Sequence, residues 1–169
     1  MSQNYKMIIQ YEGTRYDGWQ KQGNTENTIQ GKLEKVLERM AGFPVEVHGS
    51  GRTDAGVHAM GQVANFHLPD DWKPDAASEK NETVSEWIRN YFNQYLPDDI
   101  AITELTPVPE RFHSRLSAVK KIYTYRIETG EKRDVFSRRI CYGLGQALDV
   151  KKMQTAADLL CGTHDYKSF

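Results

Sequence analysis

Between Gly49 and Ala59 the chain reads Gly-Ser-Gly-Arg-Thr-Asp-Ala-Gly-Val-His-Ala. Arg52 and Asp54 stand two residues apart on a loop punctuated by Gly49, Gly51 and Gly56. Glycines let a backbone take positive φ and approach a ligand closely. A carboxylate on such a loop can serve as nucleophile or base, and an arginine beside it can grip a phosphate or keep the acid ionised. Asp54 alone would also suit an Asx turn that caps backbone N–H groups. The connection of about a dozen residues exceeds what a hairpin needs, and Arg52 has no role in a turn, so a site is the stronger reading. His58, on the same loop, is a candidate substrate contact through a donated hydrogen bond, or else packs against the sheet.

A second group of candidates lies further along. Tyr123 and Tyr125 alternate in Lys120-Lys121-Ile122-Tyr123-Thr124-Tyr125-Arg126, and on a strand both would point to one face. One could stack on a base while Arg115, Lys120, Lys121 and Arg126 meet an RNA backbone; two tyrosines packed in a sheet are the plainer alternative. Residues 111–139 carry a net charge of +6 and residues 65–104 one of −6, although the whole chain sums to −1. A basic stretch with aromatic rings suits nucleic acid, and its binding would weaken as salt rises. His48, His58, His67, His113 and His164 show no metal-ligand spacing, and Cys141 and Cys161 form no CxxC pair, so no metal is expected.

These residues need a scaffold. Lys6 to Tyr11 reads as a first strand ended by Glu12-Gly13-Thr14. Ile29, Leu33, Val36, Leu37 and Met40 recur at helical spacing, which predicts a helix over 28–40 stopped by Gly42 and Pro44. Strands are expected over 45–48 and 62–68, with the glycine loop between them. Val84, Trp87, Ile88, Tyr91, Phe92 and Tyr95 mark a second helix, and 100–108 a fourth strand. Strand, helix, strand, strand, helix, strand is the ferredoxin-like split βαβ order: an α+β fold with an antiparallel sheet backed by helices. The polar residues from Pro69 to Thr83 suggest a surface excursion. Past Pro109, a strand over 122–127, pairing near 141–144, and a helix over 150–160 capped by Asp149 and closed by Gly162 look like the start of a second similar unit. The expected division is 1–108 for the domain with the glycine loop and 109–169 for the start of a second unit, which either completes the first domain or begins a truncated RNA-binding and catalytic one.

At 169 residues and 38% hydrophobic the chain can bury a core, and no segment approaches the ~20 apolar residues that would span a bilayer. Without a signal-peptide pattern, and with two unpaired cysteines, a cytosolic protein is the reading.

Together these motifs resemble the tRNA pseudouridine synthases of the A class. Tyr11-Glu12-Gly13 with Gly18-Trp19-Gln20-Lys21-Gln22 is similar to that family's N-terminal signature, and Gly51 to Ala59 to its active-site loop. Gly61-Gln62-Val63, Phe112-His113-Ser114-Arg115 and Lys121-Ile122-Tyr123-Thr124-Tyr125 resemble later segments. The resemblance implies that Asp54 is the catalytic aspartate, that Arg52 helps extrude the target nucleotide, and that Tyr123 lies against the target uracil. It implies conversion of uridine to pseudouridine in the anticodon arm of tRNA, at the thirty-eighth to fortieth positions, by a homodimer without cofactor or metal. Lys121-Ile122 departs from the two basic residues usual before the tyrosine. Family members also continue well past Phe169, with an arginine expected to pair with the aspartate, so this chain is expected to be an N-terminal fragment with little activity of its own. A non-catalytic RNA-binding module would make Asp54 dispensable, but Gln62 to Phe66 lacks the aromatic-rich pattern of such sheets. A carboxylate hydrolase would need a second acid beside Asp54, and the loop has none.

Overall fold

The computed structural model describes residues 2–74 and 82–167. Of the excursion expected from Pro69 to Thr83, residues 75–81 therefore lie outside the described residues. The chain divides into two units, 1–121 and 122–169.

In the first unit, strand β1 (Ser2–Tyr11) leads through a 3₁₀ turn (Gly13–Arg15) to helix α1 (Ile29–Ala41). Strands β2 (His48–Gly49) and β3 (Ala59–Pro69), helix α2 (Val84–Tyr95) and strand β4 (Ile100–Val108) follow. The four strands form one antiparallel sheet in the order β2-β3-β1-β4, with β1 and β3 at its centre. Tyr5, Met7, Ile9 and Tyr11 on β1 and Ala64, Phe66 and Leu68 on β3 alternate onto one face. Ile29, Leu33 and Leu37 of α1 and Ile88 and Phe92 of α2 cover that face. A bulge at Thr103 shifts the register between Ile8↔Glu104 and Ile9↔Ile102, so Ile102 and Leu105 both point inward despite odd spacing.

Local signals set the helix ends. Thr28 accepts from Gly31 N–H at the start of α1, and Gly42 at φ 82° closes it. Thr83 and Glu86 form a reciprocal capping box on α2. The strands expected over 6–11 and 62–68 extend to 2–11 and 59–69 because Ser2 pairs with Pro69 and Tyr11 with Ala59. The strand expected over 45–48 is corrected to the two residues His48–Gly49. Val45 and Val47 are buried as a strand pattern requires, but α1 takes the backbone polar groups of Val47: Glu34 accepts from Val47 N–H at 3.2 Å, and Gln30 Nε2 donates to Val47 O at 3.1 Å.

The other face of the sheet carries two fully buried amides, Asn4 and Asn65. Asn4 Nδ2 donates to the carbonyls of Pro109, Glu110 and Phe112, the last at 2.8 Å. Asn65 Nδ2 donates to Asn4 Oδ1 at 3.1 Å, and Asn65 Oδ1 accepts from Ser114 N–H at 2.9 Å. Ser114 Oγ in turn donates to His48 O. Buried amides cost stability unless bonded, and this set is fully bonded only with residues 109–114 laid across the sheet.

Asp99, before β4, ties down the 3₁₀ turn. It accepts from Arg15 Nε at 2.8 Å and from the Tyr16 hydroxyl, and its carbonyl accepts from Glu12 N–H at 2.9 Å. Burial raises the Asp99 carboxyl, but the hydrogen bonds from Tyr16 and Arg15 outweigh it and hold the group below its ordinary value of 3.8. Burial, then Asp99, pushes the Tyr16 hydroxyl from 10.0 up to about 12. The lowered acid contributes stability that is full above its unfolded value and lost as pH falls through the folded one. The raised phenol contributes stability that is full below about pH 10 and lost as pH climbs towards 12. Asp99→Asn is expected to cost about 1–2 kcal/mol at neutral pH and to flatten the acid limb of stability. Denaturant titrations across pH check this, and an acid limb identical in the two proteins would refute it.

In the second unit, strands β5 (Ile127–Glu128) and β6 (Tyr142–Gly143) pair in parallel, and helix α3 (Val150–Leu160) follows. Asp149 accepts from Lys152 N–H at 3.0 Å, and Gly162 stands at φ 109°, so the expected ends of α3 hold. The strand expected over 122–127 does not form: only Ile127 and Glu128 pair, and residues 120–126 are irregular and exposed. Alternation makes a strand only where another strand supplies hydrogen bonds; here Tyr142 N–H reaches back only as far as Arg126 O, at 2.8 Å, and no residue of 120–126 is paired in a sheet among the described residues. Tyr123 and Tyr125 accordingly do not share a strand face. No residue of α3 is buried.

Candidate active site

The glycine loop leaves β2 and returns as β3. Ser50 N–H donates to Val63 O at 2.8 Å and Gln62 Nε2 to Gly51 O at 2.7 Å, extending the ladder into the loop. Residues 11–19 then hold it on either side of Asp54. The Tyr11 hydroxyl lies 2.9 Å from Thr53 Oγ1, and Trp19 N–H donates to Thr53 O at 2.9 Å. Beyond Asp54, Gly56 N–H donates to Tyr16 O, and Val57 N–H donates back to Asp54 O, both at 3.2 Å. Gly13 N–H donates to His58 Nδ1 at 3.1 Å.

Glycine is required where the two segments touch. Gly18 sits at φ 94°, and a Cβ on it would fall 2.6 Å from Thr53 O; a Cβ on Gly13 would fall 1.9 Å from Val57 O. Trp19, 2% exposed, fills the space against Gly49 and so anchors residues 11–19 to the sheet. Of the three glycines of the loop only Gly56 has positive φ; Gly49 makes room for Trp19.

Asp54 is exposed, and among the described residues its carboxylate accepts no hydrogen bond, so the Asx turn is absent. Its backbone carbonyl, not its side chain, closes the turn with Val57. Arg52 is also exposed and makes no ion pair with Asp54 among the described residues; its Nε donates instead to Gln20 Oε1 at 3.1 Å. Lys121 lies over the loop, its Nζ 2.9 Å from where a Gly51 Cβ would be. His58, half-buried, accepts at Nδ1 from Gly13, which places its proton on Nε2. Glu12 Oε1 lies 3.3 Å from the same nitrogen.

Arg52, Asp54, His58 and Lys121 are thus gathered at one loop of the first unit. Arg115 and Lys120, both exposed, follow the buried Ser114 on the same unit. Tyr123, 66% exposed, and Arg126 belong to the second unit. Gln20 is the contact that the sequence pattern misses, because nothing in residue type links positions so far apart. Among the described residues no cluster of three or more His, Cys, Asp or Glu could hold a metal ion, and no helix is long and apolar enough to cross a membrane.

Residues 7–116 match the family described as tRNA pseudouridine synthase. The chain belongs to this family. It is 48% identical over 166 residues to the tRNA pseudouridine synthase A of Bacillus sp. (strain KSM-64), covering 98% of this chain and 64% of that protein. It is 45% identical to a tRNA pseudouridine synthase A 2 of Bacillus cereus (strain ATCC 14579), covering 98% and 63%. Against the tRNA pseudouridine synthase A of Geobacillus sp. (strain WCH70) it is 41% identical over 175 residues, covering 100% and 64%. The chain therefore spans somewhat under two thirds of the length of these family members.

Proposed function

We propose that the protein converts uridine to pseudouridine in tRNA, with Asp54 as the catalytic carboxylate. The observation that carries this is an exposed aspartate whose carboxylate accepts no hydrogen bond among the described residues, on a loop clamped on both sides that also carries Arg52 and lies under Lys121 at Gly51. A loop held this firmly keeps its carboxylate in place without using the carboxylate itself, which leaves both oxygens for substrate.

In the reaction the N1–C1′ bond breaks, the base turns, C5 bonds to C1′, N1 takes up a proton and C5 releases its own. Asp54 attacks C1′ or removes a proton from the sugar; both routes use a fixed, ionised carboxylate. The target must leave its stack, at about a few kcal/mol, and Arg52 can hold the extruded nucleotide through its phosphate. Tyr123 stacks on the uracil, and His58 completes the loop as a substrate contact. Arg115, Lys120, Lys121 and Arg126 track the RNA backbone.

This reading extends to a substrate uridine in the anticodon arm, a cytosolic homodimer, and chemistry without cofactor or metal. It treats the sheet order β2-β3-β1-β4 as a ferredoxin-like split βαβ unit and residues 122–169 as the start of a second one. Function then divides near Pro109 although packing divides at 121/122, because residues 109–121 carry RNA-binding cations while lying on the first unit. On this reading the present chain alone has little or no activity.

The test is release of the C5 hydrogen from uracil-labelled tRNA by the protein's full-length form. Steady release is expected; salt-sensitive tRNA binding with no release would instead support a binding module.

A further inference from the structure

We infer that Gln20 is a positioning residue that aims Arg52; this rests on the reading that Arg52 holds the extruded nucleotide. A guanidinium offers five N–H donors in a planar fork. Gln20 Oε1 takes Nε of Arg52 at 3.1 Å, which leaves the paired Nη groups for a bidentate anion such as a phosphate. The partner is an amide, so it fixes direction without cancelling charge. A carboxylate at the same place would compete with the phosphate for the cation.

Gln20 can aim another side chain because its own backbone is held on both sides. Trp19 donates to Thr53 O and accepts from Gln30 N–H at 3.0 Å. Lys21 N–H donates to Gln30 Oε1 at 2.9 Å, and Lys21 Nζ pairs with Glu34 at 3.1 Å. The Trp19–Thr53 bond joins the residues next to Gln20 and Arg52, so the side-chain pair is the adjoining rung of one ladder. An arginine held this way loses less rotamer freedom when its anion arrives.

The experiment compares Gln20→Met, Arg52→Ala and the double variant in the full-length protein, by single-turnover isomerisation and by the Arg52 Nε–H signal in ¹⁵N spectra. Gln20→Met is expected to slow turnover about 3- to 10-fold, to abolish the slowly exchanging Nε–H signal, and to cost nothing further once Arg52 is alanine. Gln20→Glu keeps the acceptor oxygen and adds charge; it is expected to retain the signal and weaken tRNA binding, and it carries the test should the methionine variant melt early. Unchanged turnover in Gln20→Met, an equal loss in both Arg52 backgrounds, or unchanged affinity in Gln20→Glu would overturn the inference alone. Full turnover by Arg52→Ala would remove the reading of Arg52 and the inference with it.

Discussion

In the full-length protein, Asp54→Asn is expected to slow single-turnover pseudouridine formation by roughly 10³-fold or more while tRNA binding stays within a few-fold of native. The amide keeps the shape of the side chain and forfeits its charge. Because no hydrogen bond among the described residues uses the Asp54 side chain, the substitution should leave the clamp from Tyr11, Tyr16 and Trp19 intact. A catalytic defect with native melting and near-native binding is the pattern that separates chemistry from folding. Full turnover by the asparagine variant would remove Asp54 from the reaction; equal losses of binding and rate would make it a binding residue.

The second large effect concerns stability. Gly18→Ala would place a methyl 2.6 Å from Thr53 O and 3.2 Å from Asp54 C, on a residue at φ 94°. Backbone strain and overpacking each cost about 1–3 kcal/mol, and neither atom can swing away as a side chain would. The expected loss is about 3 kcal/mol, roughly 6–12 °C in Tm for a chain of this size. Relief would come only by pushing the loop outward, so any folded remainder should have lost catalysis as well. Gly23, with nothing within 4 Å of an added Cβ, supplies the control; Gly23→Ala should stay within about 0.5 kcal/mol of native. Thermal melts of the two variants side by side decide the matter, and coincident curves for Gly18→Ala and native protein would refute it.

Much of this architecture is legible in the sequence because its signals are local. Ile29, Leu33, Val36 and Leu37 announce α1, and Thr28 and Gly42 bound it. Strand β4 and helix α3 occupy the expected residues, 100–108 and 150–160. What local pattern misses is set by distant partners. Val45 and Val47 look like strand residues, yet the backbone polar groups of Val47 go to Gln30 and Glu34 of α1. Residues 122–127 alternate like a strand, but a strand is a pairing, and only its last residue finds one. In the site, residue type picks out Arg52 and Asp54, while the partner of Arg52 is Gln20 rather than Asp54. That choice depends on how residues 11–19 cross the loop, which no spacing within the loop encodes.

The amide pair Asn4 and Asn65 acts as a proofreading device for assembly. A slip of β1 by one residue against β3 would turn Asn4 toward the helices, breaking its bonds to the carbonyls of Pro109, Glu110 and Phe112 and leaving Asn65 Nδ2 without its acceptor. The same slip would unseat the segment that brings Lys121 to Gly51. Mispaired chains therefore lose fold and charge placement together, which leaves little room for a well-folded protein with its cations in the wrong place.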